Sequence, residues 1–487
     1  MARRRNPFPA LVVVALLPAL ALGGCWQFAK GRAPEGVSVP DDTVTPDSTG
    51  SSTPADVSLA TPVLSLRRAP AMLARDVNLA SFVATAQGFL PQIDSTSCVA
   101  ISVDGQPVAS QNADLPLRPA STVKVVTASV ALEVLGAEYT YTTEVRGNLA
   151  GGVVQGNLYL VGGGDPVLSN SWWNGPNAKY PPFNTTSIEA LADNIVAAGV
   201  TSIGGSVVGD AGRYDSEWYA PTWGSDVRFT EGGPITALLA NDSREAIDRS
   251  SNDPVVGAAT VLTQLLQERG VTVAGAPAAG TTDGSAAIAA VQSHPLRDIL
   301  AEMLTTSDNN TAEMILKEIG LVAGGAGTRE AGLAVVTTTL QGWGIPLDGV
   351  VLVDGSGLSD ENRLTCGTLL ALIQRAPVDG PIGQGMAIAG QAGGTLSDAF
   401  EDTALAGLLR GKTGTLYNYD DGIGGKPAAK ALCGYVPQEG GGAIQFAILL
   451  NGPQIAEKVE YRPIWDAFGA VLLSYPSGPT VADLTPR

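Results

Sequence analysis

Ser121 and Lys124 stand three residues apart at the head of an apolar run that reaches Leu132 and reads as a helix stopping at Gly136. At that spacing both side chains point to one helical face, so the lysine amine can reach the serine hydroxyl and act as its general base. A free lysine, with a pKa near about 10.4, is a poor base at neutral pH. Burial and a second nearby cation both favour its neutral form. The candidate for that cation is Lys412, in Lys412-Thr413-Gly414-Thr415 on a strand-like stretch. Backbone N–H groups at the helix start add donors for the negative charge that develops when a hydroxyl attacks a carbonyl.

The strand supplies the other half of such a site. Gly414 lacks a side chain where a substrate backbone is expected to come close. An open strand edge can pair with an extended peptide while Lys412, Thr413 and Thr415 hold a carboxylate. The N–H groups of Ser121 and Thr415 then form an oxyanion hole. A third segment, Ser307-Asp308-Asn309, falls between two helix-patterned stretches, where a loop can face a helix end. Ser307 can pass a proton toward a leaving amine, and Asn309 can bond both Lys124 and a substrate amide. S-x-x-K, S-D-N and K-T-G, in this order, are the joint signature of serine β-lactamases and penicillin-binding proteins. Taken singly, each motif reads equally well as a buried serine, a helix cap or a surface lysine. Yet of eight lysines only Lys124 has a serine three residues before it, and only Lys412 precedes a threonine. Ser110 and Ser250 also fit S-x-N, but only Ser307 lies between helical patterns.

Bringing these residues together requires several elements. Cys98–Val103 and Pro107–Ser110, joined by Asp104-Gly105, read as a hairpin. Helical patterns recur at Ser187–Ala198, Val255–Arg269, Pro295–Leu304, Ala312–Ile319, Thr365–Gln374 and Tyr461–Ser474. Three strand-like runs, Ala406–Leu416, Lys430–Val436 and Ile444–Leu450, could join the early hairpin in one antiparallel sheet. Between them, short apolar stretches alternate with Gly-rich turns, as in an insertion built mostly of strands. The expected division is a leader at 1–25, a tether at 26–75, a first part of the catalytic body at 76–144, an insertion at 145–290 and the second part at 291–487.

Composition narrows the function. The 487 residues are 45% hydrophobic, enough for sizeable cores, and carry Lys+Arg 29 against Asp+Glu 47, a net charge of −18. Arg3, Arg4, Arg5, Lys30 and Arg32 all precede the first acid, so the body is more acidic still. Such a surface is a poor partner for nucleic acid. His294 is the single histidine, which excludes a His-rich zinc site, and its Ser-His-Pro-Leu setting suits a helix cap. Gly407 to Thr413 imitates a phosphate loop but has three residues between its glycines instead of four. Arg3–Arg5 followed by the apolar Leu11–Leu22 reads as an export signal, too short for a membrane span. Leu22-Gly23-Gly24-Cys25 is similar to a bacterial lipobox with Cys25 as the lipidated residue, and Ala19-Leu20-Ala21 offers an ordinary cleavage site as its rival. Membrane contact is then expected only through the signal or a lipid. The following Pro-, Ser-, Thr- and Asp-rich stretch reads as a flexible tether. Cys98, Cys366 and Cys433 allow at most one intrachain bridge, and buried thiols are the favoured reading.

Beyond the three motifs, Gly156-Asn157-Leu158-Tyr159-Leu160-Val161-Gly162-Gly163-Gly164-Asp165-Pro166, Asp354-Gly355-Ser356-Gly357-Leu358-Ser359 and Gly411-Lys412-Thr413-Gly414-Thr415-Leu416 carry a resemblance. Over roughly residues 76–475 the chain resembles the class C low-molecular-weight penicillin-binding proteins, the D-alanyl-D-alanine carboxypeptidase/endopeptidase family. The gap of 186 residues between Ser121 and Ser307 matches the family's insertion. The resemblance implies an α/β (α+β) fold: a β-lactamase/transpeptidase-like domain, its antiparallel sheet flanked by helices, plus one or two mainly β inserted domains. It also implies cleavage of D-alanyl-D-alanine bonds in peptidoglycan stem peptides through an acyl-enzyme, β-lactams as covalent inhibitors, and action in the cell envelope with no cofactor or metal. Gln391-Ala392 departs from the Val-Asp that family members more often carry before Gly-Thr-Leu. Asp226, beside Trp218, Tyr219 and Trp223, is a candidate for the ammonium of a diaminopimelate side chain, or else a solvated loop acid. Two rival functions remain: a serine β-lactamase-like hydrolase, against which stands the lack of a Glu-x-x-Leu-Asn between the first two motifs, and a catalytically silent wall-binding lipoprotein, against which stand the intact motifs.

Overall fold

The computed structural model describes residues 69–485, apart from 174, 176–178, 226, 229–230, 418–427 and 440. The leader with Cys25, and the tether up to residue 68, lie outside the described residues. Helix α1 (Ala69–Phe89) begins inside the stretch expected to be tether up to Arg75. Its first turns expose Met72 and Leu73 and bury Pro70, Ala74 and Asn78, none of them a large apolar side chain, so the face is not legible there; large apolar residues join it only from Phe82 onward.

Strands β1 (Ser97–Val103) and β2 (Gln106–Gln111) follow as a hairpin, then helix α2 (Val123–Val134). Asp104 and Gly105 both take positive φ, 50° and 78°, the geometry that lets a two-residue turn follow the strands' right-handed twist. The chain next runs through β3 (Thr142–Arg146), β4 (Leu158–Val161), α3 (Ile188–Ala197), β5 (Val207–Asp210), α4 (Pro254–Glu268), β6 (Ala278–Ala279) and β7 (Ala287–Gln292). It returns through α5 (Leu296–Thr306), α6 (Asn309–Gly324), α7 (Arg329–Gly342), α8 (Cys366–Arg375), β8 (Ala387–Ile388), β9 (Arg410–Leu416), β10 (Ala428–Pro437), β11 (Ala443–Gly452) and α9 (Lys458–Leu473).

The central sheet has the order β8-β9-β10-β11-β1-β2 and its pairs are antiparallel. The terminal strands therefore close onto the early hairpin, from Ser97 opposite Leu450 to Val103 opposite Ile444. Both faces of β1 are buried, which explains its continuous apolar text. Cys98 and Ala100 face α2, α5, α6 and α8, whereas Val99, Ile101 and Val103 face the Phe82 and Phe89 side of α1 and the Trp465 and Phe468 side of α9. Cys98 and Cys366 form a disulfide across a sequence separation of 268, tying β1 to the start of α8. This corrects the favoured reading of Cys98 as a buried thiol and is the one intrachain bridge that the cysteine count allowed. Cys433 is the free one, fully buried, with its thiol pushed up to about 12 by desolvation.

The insertion leaves and returns through one antiparallel pair, β3 with β7, running from Arg146 opposite Ala287 to Thr142 opposite Gln292. Its sheet has the order β6-β5-β4-β3-β7, with β4, β5 and β6 parallel. Parallel neighbours need long crossovers, and α3 and α4, both at stretches with the expected helical pattern, supply them, so the insertion is mixed rather than built mostly of strands. Ser187 caps α3 by accepting from the Ala190 N–H, and Asp253 caps α4 by accepting from Val255 and Val256.

Candidate active site

Ser121 sits in a single 3-10 turn, Ala120–Thr122, that runs directly into α2. Ala120 is left-handed at φ 48° and fully buried, an unfavourable conformation for a residue with a Cβ. Ser307 is left-handed too, at φ 70°, where α5 ends and α6 begins. Asp308 caps α6 by accepting from the Thr311 N–H. Both serines therefore stand on tight joints rather than within regular helix.

Lys124 is closed off from solvent on α2. Its Nζ lies 3.0 Å from Ser121 Oγ and donates to Asn309 Oδ1 at 2.6 Å and to the Ser356 carbonyl at 2.8 Å. Burial lowers its pKa to about 8, against the pull of Asp308, Asp354, Glu313 and Glu231. A neutral amine fits these partners: two N–H bonds remain on the two carbonyl oxygens, and the lone pair faces the serine hydroxyl. Lys412, on β9, was expected to press Lys124 toward neutrality. Lys412 is itself displaced well below its ordinary value, first by burial and then by the charge of Lys124. Its Nζ donates to Ser307 Oγ at 2.8 Å and to the Thr413 carbonyl at 2.9 Å.

The loop Asp354–Ser359 holds Lys124 from below. Gly357 has φ +88°, and a Cβ there would stand 2.0 Å from the Ala120 carbonyl oxygen, so the loop touches the turn that carries Ser121. Thr127 Oγ1 donates to the Gly355 carbonyl at 2.7 Å. Glu313, fully buried on α6, accepts from the Gly355 and Ser356 N–H groups, both at 2.8 Å, and from Arg329 Nε at 3.0 Å. Asp354 accepts from Gly357, Ser359, Asn362 and, at 2.9 Å, from the Trp223 indole of the insertion. Sequence reasoning missed Glu313 and Ser356, because a carboxylate that binds loop amides has no spacing signature. Glu313→Ala leaves two buried amides and Arg329 Nε without their acceptor, and the buried guanidinium keeps only Glu217. We expect it to lower the unfolding free energy by about 3–5 kcal/mol in urea titrations, with Glu313→Gln losing less.

On β9, Gly414 is small for a reason other than the one expected: a Cβ there would lie 2.7 Å from the Pro119 carbonyl oxygen and 3.0 Å from Ala120 Cβ. The protein's own Ser121 turn, not a substrate, takes that space. β8 pairs with β9 only at Gly411 and Arg410, so among the described residues no strand of the sheet covers that edge from Lys412 onward. An open cleft of 820 Å³ runs past it, lined by Ser307, Asn309, Thr413, Thr415 and, from β10, Lys430. Asp226 lies outside the described residues. His294 is exposed and is not among the residues lining this cleft.

The model of the D-Ala-D-Ala carboxypeptidase 3 (S13) family matches residues 78–248 and 240–471. A carboxypeptidase of Mycobacterium tuberculosis is 33% identical over 373 residues, covering 72% of this chain and 74% of the relative. A D-alanyl-D-alanine carboxypeptidase of Actinomadura sp. is 29% identical over 434 residues, covering 72% and 76%. Penicillin binding protein 4 from Haemophilus influenzae shares the fold, with a TM-score of 0.65 at 18% identity over 80% of this chain and 99% of that one. Since the match takes in the insertion as well as both halves of the body around it, the chain belongs to the D-Ala-D-Ala carboxypeptidase 3 (S13) family.

Proposed function

We propose that Ser121, Lys124, Ser307, Asn309 and Lys412 carry the peptidase chemistry of this enzyme. The protein is a serine-type D-Ala-D-Ala carboxypeptidase that cleaves D-alanyl-D-alanine bonds of peptidoglycan outside the cytoplasm and binds penicillins. The observation that carries the assignment of roles is the set of three contacts around Lys124 Nζ, which suits a neutral amine beside one hydroxyl. Ser121 Oγ attacks the carbonyl carbon of the penultimate D-alanine while its proton passes to Lys124 Nζ. The oxyanion faces the N–H groups of Ser121 and Thr415. The C–N bond then breaks, the leaving amine takes its proton through Ser307, and water hydrolyses the ester. Thr413 and Thr415 seat the leaving group along the open edge of β9, and Asp226 is offered again as a group for the stem peptide's ammonium.

Only the neutral lysine accepts the proton, so the ammonium form below its pKa is inactive. We expect kcat/KM on a D-alanyl-D-alanine peptide to rise with pH up to about 8 and to level off above it, falling about tenfold per unit on the acid side. A profile flat from pH 5 to 9 contradicts Lys124 as the base. Mass spectrometry of stem peptides and cross-linked dimers separates carboxypeptidase from endopeptidase turnover.

For the rest of the chain, the positive start, the short apolar run and the Leu-Gly-Gly-Cys before Trp26 support export and lipid attachment at Cys25, followed by a tether. No helix among the described residues is long and apolar enough to cross a membrane. The insertion is read as a separate unit, supported by its own core around Leu158, Ile195 and Leu262.

A further inference from the structure

A substrate carboxylate beside Thr413 and Thr415 needs a countercharge, and Lys412 is poorly placed to supply it. Lys412 is fully enclosed and turned toward Ser307. The neighbouring strand offers another cation. Lys430 on β10 stands opposite Thr415 in register, and its Nζ donates to Thr415 Oγ1 at 2.9 Å. It lines the same cleft as Thr413 and Thr415. Its Nζ lies 4.2 Å from the ring centroid of Tyr461 and 5.2 Å from that of Trp465. Burial, and then the charge of Arg462, lower its pKa to about 8, and a carboxylate arriving beside it favours the charged form. Among the described residues no carboxylate reaches ion-pair distance of Lys430. Asp398, which also lines the cleft, is engaged by Lys458 at 3.3 Å and by Arg462 at 3.9 Å. Trp465 is 2% exposed, and its Nε1 has no acceptor among the described residues.

We propose that Lys430 determines specificity for the α-carboxylate of the leaving D-amino acid, the strand edge at Thr413 and Thr415 seating the carboxylate and Lys430 providing its charge. The inference rests on the reading that the scissile bond lies at Ser121, and it places carboxylate recognition on a residue outside all three motifs. With the leaving group seated along Thr413 and Thr415 as proposed, Lys430, which bonds Thr415 Oγ1, lies on the leaving group's side of the bond rather than the acyl side. Losing it therefore acts on the choice of leaving group and not on the attacking hydroxyl.

The test uses the full-chain enzyme and two synthetic peptides that are identical except for the last group, one ending in the free acid of D-alanyl-D-alanine and the other in its amide. In Lys430→Met and Lys430→Gln the ratio of acid to amide kcat/KM is expected to fall by roughly 10- to 100-fold, the loss typical of one charge-assisted contact. Lys430→Arg is expected to keep the ratio within about threefold, since the charge remains. An unchanged ratio in the Met and Gln variants overturns the proposal, and so does a parallel loss on both peptides, which marks a packing role against Tyr461 and Trp465. Thermal unfolding identifies a variant that has failed to fold; the remaining two then decide, because a collapsed ratio in Lys430→Arg also counts against it. A wild-type enzyme that cleaves neither peptide refutes the functional reading itself, a result distinct from any of these.

Discussion

Ser121→Ala is expected to reduce kcat on D-alanyl-D-alanine peptides by about 10⁴- to 10⁶-fold, the scale on which hydrolases lose rate without their nucleophile. Covalent labelling by a fluorescent penicillin is expected to vanish with it. The protein contains a second Ser–Lys pair, Ser307 with Lys412 at 2.8 Å, closer than the 3.0 Å of Ser121 with Lys124, so distance alone does not choose between them. The helices do. Ser121 lies at the start of α2, where backbone N–H groups favour a developing oxyanion, whereas Ser307 ends α5, and the N-terminus of α6 that follows it is already capped by the Asp308 carboxylate. Lys124 also has two carbonyl oxygens that hold its amine in orientation. Ser307→Ala should therefore slow turnover by about 10²- to 10³-fold, the scale of one proton-transfer group, and still be labelled. Labelling that persists in Ser121→Ala and disappears in Ser307→Ala would reverse the two roles.

Ser121, Ser307 and Lys412 could be found from the text because their chemistry demands fixed short spacings: one helical turn between Ser121 and Lys124, a joint between two helices, a strand beside them. The antiparallel sheet was legible for a related reason, since the runs that follow Lys430 and Ile444 are almost continuously apolar and so must be buried on both sides. What stayed hidden depends on distance through space. Asn309, expected beside Lys124 from its motif, does bond it, but the Ser356 carbonyl that also holds Lys124 lies 232 residues away in sequence. Gly414 and Gly357 are small because they press on the Ser121 turn, a contact no local pattern encodes. The same holds for Cys98 and Cys366, which are indistinguishable from inert thiols until β1 and α8 are seen to meet. Helix α7 escaped notice because it buries only one narrow stripe, Val336 and Leu340 among polar neighbours. Lys430 was read only as the start of a strand, and its place opposite Thr415 emerges only from the pairing of the two strands.

Lys124→Arg is expected to be nearly as damaging as removal of the nucleophile, with kcat/KM and the acylation rate by penicillin both reduced by about 10³- to 10⁵-fold. The substitution keeps the positive charge and the capacity to donate to Asn309 Oδ1 and the Ser356 carbonyl. It removes the one property that the proposed mechanism requires, since a guanidinium does not lose its proton in a protein and offers no lone pair to Ser121. If Lys124 served only as a cation that stabilises the oxyanion, arginine would preserve much of the rate and methionine would not. As a base, the two variants fail alike. Each should also lose the rise in kcat/KM toward pH 8, because the group whose deprotonation produces that limb is gone. Comparing Lys124→Arg with Lys124→Met across pH 5 to 9, with urea unfolding to confirm that both fold, decides the matter. An arginine variant within about tenfold of wild type, still gaining rate as pH rises, would transfer the base role to another group, and Lys412, the other lysine of the site held toward neutrality by burial, would be the first to test.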